Sequence, residues 1–239
     1  MTEQPLTVGV LGGMSSESTR EYYRLLDERI NDVRGGHHAA DLVIRSVDFG
    51  EVERFIREDR WEAAADFLAA AAADLEAAGA DLAIMATNTM HRVAADIDAA
   101  LSIPFVHIVD PTAEAVAAAD IDTVGVLGTA AVMEGEFYAD RFADHGIEVV
   151  VPDAEDRCLV DDVIFEELTS GVIREESRAA YLRVIDDLVA DGAEGVVLGC
   201  TEIDLLVDQA DRPSVPMFDT TALHVERAVE MSLRGASSE

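Results

Sequence analysis

Two kinds of apolar pattern alternate along the chain. Continuous runs rich in Val, Leu and Ile occupy 7–12, 81–86, 123–128 and 194–199. Unbroken apolarity of that length marks strands buried on both faces of a parallel sheet. Between the runs, apolar residues recur every three or four positions among charges. This spacing predicts helices over 17–30, 61–78, 113–119, 137–144, 160–168, 175–190 and 222–233. Strands that alternate with helices predict an α/β fold of parallel sheets flanked by helices.

The pattern occurs twice. Thr-Val-Gly-Val-Leu-Gly starts at 7 and again at 123, an offset of 116 residues, each copy running into a helix start. Downstream, DLAIMA (81–86) leads into Thr87-Asn88-Thr89 and EGVVLG (194–199) leads into Cys200-Thr201-Glu202, offset by 113. A third pair, Ile103-Pro104 with Asp110-Pro111-Thr112-Ala113 and Val215-Pro216 with Asp219-Thr220-Thr221-Ala222, is offset by 112 between the prolines. Three ordered matches at nearly constant spacing imply duplication. They predict two similar lobes related by a pseudo-twofold with the active site between them, 1–102 plus 215–239 and 103–214. The strand and helix over 215–233 are expected to return to the first lobe. Ligands of open parallel sheets bind beyond the carboxyl ends of the strands. Thr87 and Cys200 stand just past two such ends, each at an expected helix start.

With 49% hydrophobic residues the chain builds a real core. No apolar run approaches the ~18–20 residues of a membrane span. Residues 1–5 carry no basic or apolar leader pattern, so a cytoplasmic location is expected. The formal net charge of −32, from 49 acidic and 17 basic residues, argues against nucleic acid and anionic membranes as partners. The acids are spread through the helices, and this lysine-poor, evenly acidic surface resembles proteins of salt-rich cytoplasm, where screening tolerates self-repulsion. Cys158 and Cys200 are the only cysteines. They lack metal-ligand spacing and make no disulfide framework.

Two acid/base groups on opposite sides of a Cα can racemise an amino acid without pyridoxal phosphate or a metal, provided fixed donors hold the carboxylate. Helix starts at strand ends offer such donors, and a dipole expected to draw the Cys200 pKa down toward thiolate. Asn88, Thr89, Thr129 and Thr201 add neutral donors, and Glu202 flanks the cysteine. Thr87 has no useful basicity of its own. Its hydroxyl could shuttle a proton if a neighbour polarised it, and His91, four residues on, and Glu202, beside the opposing cysteine, are the candidates, with His91 equally readable as a surface or core histidine. Gly12-Gly13 falls short of a dinucleotide fingerprint.

GVLGGMSSEST (9–19), TNTMH (87–91), GVLGT (125–129), GCTEI (199–203) and DTTALH (219–224) resemble, in order and spacing, motifs of the aspartate/glutamate racemase family. That cofactor-independent group uses two opposed cysteines, and members with TNTMH are associated with L-selective or broad-specificity racemisation. The resemblance implies that Thr87 occupies the first cysteine position and Cys200 the second. It implies further that Asn88, Thr89, Thr129 and Thr201 bind the α-carboxylate, that Met14 lies near the substrate, and that the protein is a homodimer. Thr169 stands where aspartate-specific relatives place a lysine, leaving Arg54 and Arg57 as candidates for an acidic side chain. The same scaffold with one cysteine also accommodates a decarboxylase, a cis–trans isomerase of unsaturated diacids, or a non-catalytic amino-acid-binding protein.

Overall fold

A computed structural model of the protein describes residues 5–235, so the expectation drawn from residues 1–5 falls almost wholly outside the described residues. The chain divides into two compact units. One runs to Ile108 and resumes at His224, and the other is Val109–Leu223.

The first unit begins β1 (Val8–Gly12), α1 (Ser16–Arg34), β2 (Leu42–Ser46), α2 (Phe49–Arg57), α3 (Trp61–Ala77) and β3 (Leu82–Met85). A 3₁₀ turn over Thr89–Val93, α4 (Ala94–Ala99) and β4 (Phe105–Val106) follow. All strands are parallel, in the order β2-β1-β3-β4. Val8 and Val10 pack with Tyr22, Leu26 and Ile30 of α1 and with Val225 and Val229 of the C-terminal helix. Leu11 joins the other core, with Ala64, Leu68 and Leu75 of α3. Successive β1 residues thus serve opposite faces, as a strand covered on both sides requires.

The second unit contains α5 (Val109–Ala118), β5 (Thr123–Gly128), α6 (Ala130–Glu134), α7 (Glu136–Ala143) and β6 (Glu148–Val150). It continues through α8 (Ala154–Glu166), α9 (Glu175–Ala190), β7 (Gly195–Gly199) and β8 (Met217–Asp219), then α10 (Thr220–Gly235), which passes into the first unit at His224. Its sheet order, β6-β5-β7-β8, repeats the first unit's order strand for strand. The repeated hexamer carries a shared packing device. A Cβ on Gly9 would lie 2.9 Å from Ala80 Cβ and 3.2 Å from Leu75 Cβ, and one on Gly125 would lie 2.9 Å from Leu188 Cδ1. In each sheet the first strand in sequence needs glycine there so that the helix leading into the third strand can pack close.

The expected lobe boundaries move. β4 pairs with β3, so the stretch from 103 completes the first sheet instead of opening the second. β8 pairs with β7, so only the helix beyond 215 returns to the first unit, not the strand. The Ile-Pro and Val-Pro motifs mark the fourth strand of each repeat, laid beside the third after a short crossover. Edge strands β2 and β6 lacked a sequence signal because their side chains are half-exposed or exposed, and the short helices α2 and α4 were likewise missed. Helix α8 starts six residues ahead of its expected position, capped by Asp153, whose side chain accepts from the Glu155 and Asp156 amides. Among the described residues no helix is long and apolar enough to cross a membrane.

Candidate active site

At the carboxyl end of β1 the chain turns on Gly13, whose φ of 94° favours glycine. A Cβ there would stand 2.3 Å from the Val47 carbonyl oxygen. The Gly13 amide donates to Thr19 Oγ1 at 2.8 Å, and Thr19 Oγ1 donates to the Ser15 carbonyl at 2.8 Å. Ser15 caps α1 through its bond from the Ser18 amide. Met14 is buried and packs into the core beneath this turn.

Past β3, the Ala86 amide donates to the Leu11 carbonyl at 2.9 Å, and the Thr87 amide folds back onto the Met85 carbonyl at 2.9 Å. Thr87 and Asn88 are buried, and Thr89 is half-buried. The expected α-helix start is a five-residue 3₁₀ turn, Thr89–Val93. His91 lies within it, buried, with Nδ1 2.7 Å from the Thr87 carbonyl oxygen. Its Nε2 accepts the Ile108 amide at 3.2 Å, so the proton sits on Nδ1 and is donated to that carbonyl. The ring therefore serves the Thr87 main chain and not its hydroxyl. This corrects the sequence-based expectation, because the backbone carbonyl and amide claim both ring nitrogens.

In the second unit, Thr129 is buried and extended ahead of α6. The first amide of α6, at Ala130, donates to Asp161 Oδ1 of α8 at 2.6 Å. Burial pushes the Asp161 carboxyl up, although the Ala130 hydrogen bond opposes the shift. Sequence reading missed Asp161, since its partner lies 31 residues away.

Cys200 follows β7 and is half-buried. Its Sγ–H donates to Glu202 Oε2 at 3.1 Å, and the Thr201 hydroxyl donates to the same oxygen at 2.5 Å. Thr201 and Glu202 are buried. Burial pushes the Cys200 thiol well above its ordinary value, and the Glu202 charge adds to the rise. The expected lowering toward thiolate fails for a physical reason. The turn that follows, Ile203–Leu205, is a three-residue 3₁₀ element with no macrodipole to offset a carboxylate in contact. Tyr138 and Tyr181, both raised chiefly by burial, also feel the Cys200 charge. Neither tyrosine carried a local sequence signal.

Arg54 and Arg57 pair with Glu51 and Glu53 on their own helix and are exposed. Thr169 donates to the Phe165 carbonyl at 2.8 Å. Cys158 is exposed. Among the described residues no three His, Cys, Asp or Glu side chains converge as a metal site requires.

A family model described as Asp/Glu/Hydantoin racemase matches residues 11–228. The chain is 47% identical to a proposed Asp/Glu racemase from Yersinia pestis of known crystal structure, covering 95% of this chain and 99% of that one, with a TM-score of 0.90. An aspartate racemase homologue from Pyrococcus horikoshii is 34% identical over 100% of both chains, with a TM-score of 0.82. A broad-specificity amino-acid racemase from Bacillus subtilis is 22% identical over 95% of this chain and 98% of its own length.

Proposed function

The chain belongs to the Asp/Glu/Hydantoin racemase family, and from that premise we propose that it racemises an amino acid without pyridoxal phosphate, Thr87 and Cys200 serving opposite faces of Cα. The observation that carries this reading is the thiol–carboxylate pair at the end of β7. Glu202 takes the Cys200 thiol proton, and the thiolate so formed removes the Cα proton of the bound enantiomer. As the carbanion forms, its charge spreads into the α-carboxylate, which Asn88, Thr89, Thr129 and Thr201 receive with neutral donors. A proton returns to the opposite face from the Thr87 hydroxyl, and solvent then restores Thr87 and Glu202. Glu202 is thus the proton acceptor of the pair and not only a substrate contact.

Support for Thr87 in the opposing role comes from the duplication. Thr87 lies just past the third strand of one sheet as Cys200 lies just past the third strand of the other, in sheets of the same strand order. A threonine hydroxyl is a far weaker acid and base than a thiol, so exchange runs faster from one enantiomer, in this reading the L form. The same reading takes the protein as a homodimer of a salt-rich cytoplasm, in keeping with its −32 charge.

Deuterium wash-in at Cα tests the proposal, with each amino acid supplied as L and as D in high salt. The expected outcome is solvent deuterium at Cα of one amino acid or a narrow set, abolished in Cys200→Ser. Release of CO₂, or tight binding with no wash-in, would replace racemisation by a decarboxylase or a binding protein. Retention of more than about a tenth of the exchange in Cys200→Ser would remove Cys200 from the reaction.

A further inference from the structure

β3 and β4 pair only at Ala83–Phe105 and Ile84–Val106, and their ladder then ends. Two residues beyond each strand end, Thr87 offers a carbonyl and Ile108 an amide, both with buried side chains. The imidazole of His91 stands between them, taking the Ile108 proton on Nε2 at 3.2 Å and giving its Nδ1 proton to the Thr87 carbonyl at 2.7 Å. A ring in this position replaces one rung of the ladder: amide to ring nitrogen, ring N–H to carbonyl. It satisfies both main-chain groups while the strands stay a ring's width apart.

A second imidazole steadies this end of the sheet. His224, fully buried on α10, bonds the Val106 carbonyl through Nε2 at 2.8 Å. Its Nδ1 meets the Tyr22 hydroxyl of α1, also at 2.8 Å. The carbonyl requires a proton on Nε2, and the Tyr22 hydroxyl completes the ring's bonding at Nδ1. His91 thus accepts on Nε2, whereas His224 donates from Nε2. Their ring centres lie 5.8 Å apart, Phe105 stacks on His91 at 5.8 Å, and His107 meets His91 edge-on at 4.6 Å. The sequence showed His91 and His224 only as motif positions 133 residues apart.

We propose that His91 is a positioning residue for Thr87, an imidazole rung that sets the main chain carrying the Thr87 hydroxyl. The proposal rests on the reading of Thr87 as the group opposing Cys200. The ring does not reach the reacting atoms. It fixes the direction of the Thr87 carbonyl and hence of the residue, and displacement of a reacting group by ~1 Å is enough to slow a reaction about 100-fold.

The test combines exchange kinetics with a measurement that needs no activity. His91→Phe keeps the stacking shape and loses both bonds, whereas His91→Gln retains one donor and one acceptor. Roughly 10–100-fold lower kcat for wash-in is expected in His91→Phe, with KM little changed and most of the loss recovered in His91→Gln. Thr87→Ala combined with His91→Phe should be no slower than Thr87→Ala alone, because the histidine acts through Thr87. An inactive Thr87→Ala beside a fully active His91→Phe, or fully additive losses, would overturn the positioning role. A fully active Thr87→Ala would instead overturn the reading of Thr87 itself. Nitrogen-15 NMR of the wild-type imidazoles reads the rung directly, and stands even where His91→Phe fails to fold. The proton is expected on Nδ1 of His91 and on Nε2 of His224. A His91 proton on Nε2 would dismantle the rung.

Discussion

The ends of β3 and β7 occupy the same place in two sheets of the same strand order, yet their hydrogen bonds differ in kind. At β3 the bonds run from a side chain to main chain, with a neutral imidazole holding the Thr87 carbonyl and the Ile108 amide. At β7 side chains also bond one another, and two protons, from Cys200 and Thr201, converge on one carboxylate oxygen. The first end is fixed in place with no charge, while the second holds a proton, its acceptor and a charge within contact. Duplication has therefore kept where the chain turns and let the chemistry diverge. One copy ends in a threonine whose carbonyl an imidazole holds, the other in a thiol that donates to a carboxylate.

Removing the acceptor should separate the two ends most sharply. In Glu202→Gln, wash-in at neutral pH is expected to fall roughly 10²-fold, the usual scale of a lost general base. Thiol alkylation should move the opposite way. Burial, with the Glu202 charge added to it, holds the Cys200 pKa up, so the thiolate fraction of the wild type grows only as pH climbs beyond the ordinary thiol range. Without that charge the alkylation profile shifts to lower pH, and the variant alkylates faster than wild type at pH 8. Slower alkylation together with slower exchange would make Glu202 a packing residue.

Making the two ends alike is the next step. Thr87→Cys changes little volume and restores a group that can ionise. Exchange from the slow enantiomer should rise about tenfold, bringing the two directions closer. With native folding and no gain in that direction, Thr87 would be left with a carboxylate-holding role.

The smallest effect concerns the surface common to both units. Exposed pairs such as Arg24–Glu21 and Arg183–Asp187 are each worth ~1 kcal/mol or less. They leave 49 acidic residues facing only 17 basic ones. Screening from ~0.1 to ~2 M KCl should raise the melting midpoint, by about 2–4 °C for each kcal/mol of repulsion relieved. A flat or falling midpoint would end the case for salt adaptation.

Much of this was legible in the chain. Unbroken apolar runs at the central strands have to be buried on both faces, which only a covered parallel sheet provides, and their recurrence announced two sheets. Edge strands such as Leu42–Ser46 were silent because one side of them faces solvent and asks nothing of the sequence. Thr87 and Cys200 could be chosen because strand ends are local features. Their partners were harder to see. Glu202 was adjacent and visible, but the Cys200 pKa was expected to fall, since a helix start looks the same in sequence whether a long helix or a 3₁₀ turn follows.

The sequence by itself determined the strand–helix order, the duplication and the residues at the strand ends, because each follows from the periodicity and chemistry of neighbouring positions. Tertiary structure alone decided the raised pKa of Cys200, the hydrogen-bond partners of His91 and His224, and the carboxylate that meets the Ala130 amide. These depend on burial and on contacts between residues up to 202 positions apart, as between Tyr22 and His224. Proton affinity is set by the groups that surround a site in space, and no local pattern in the chain records them.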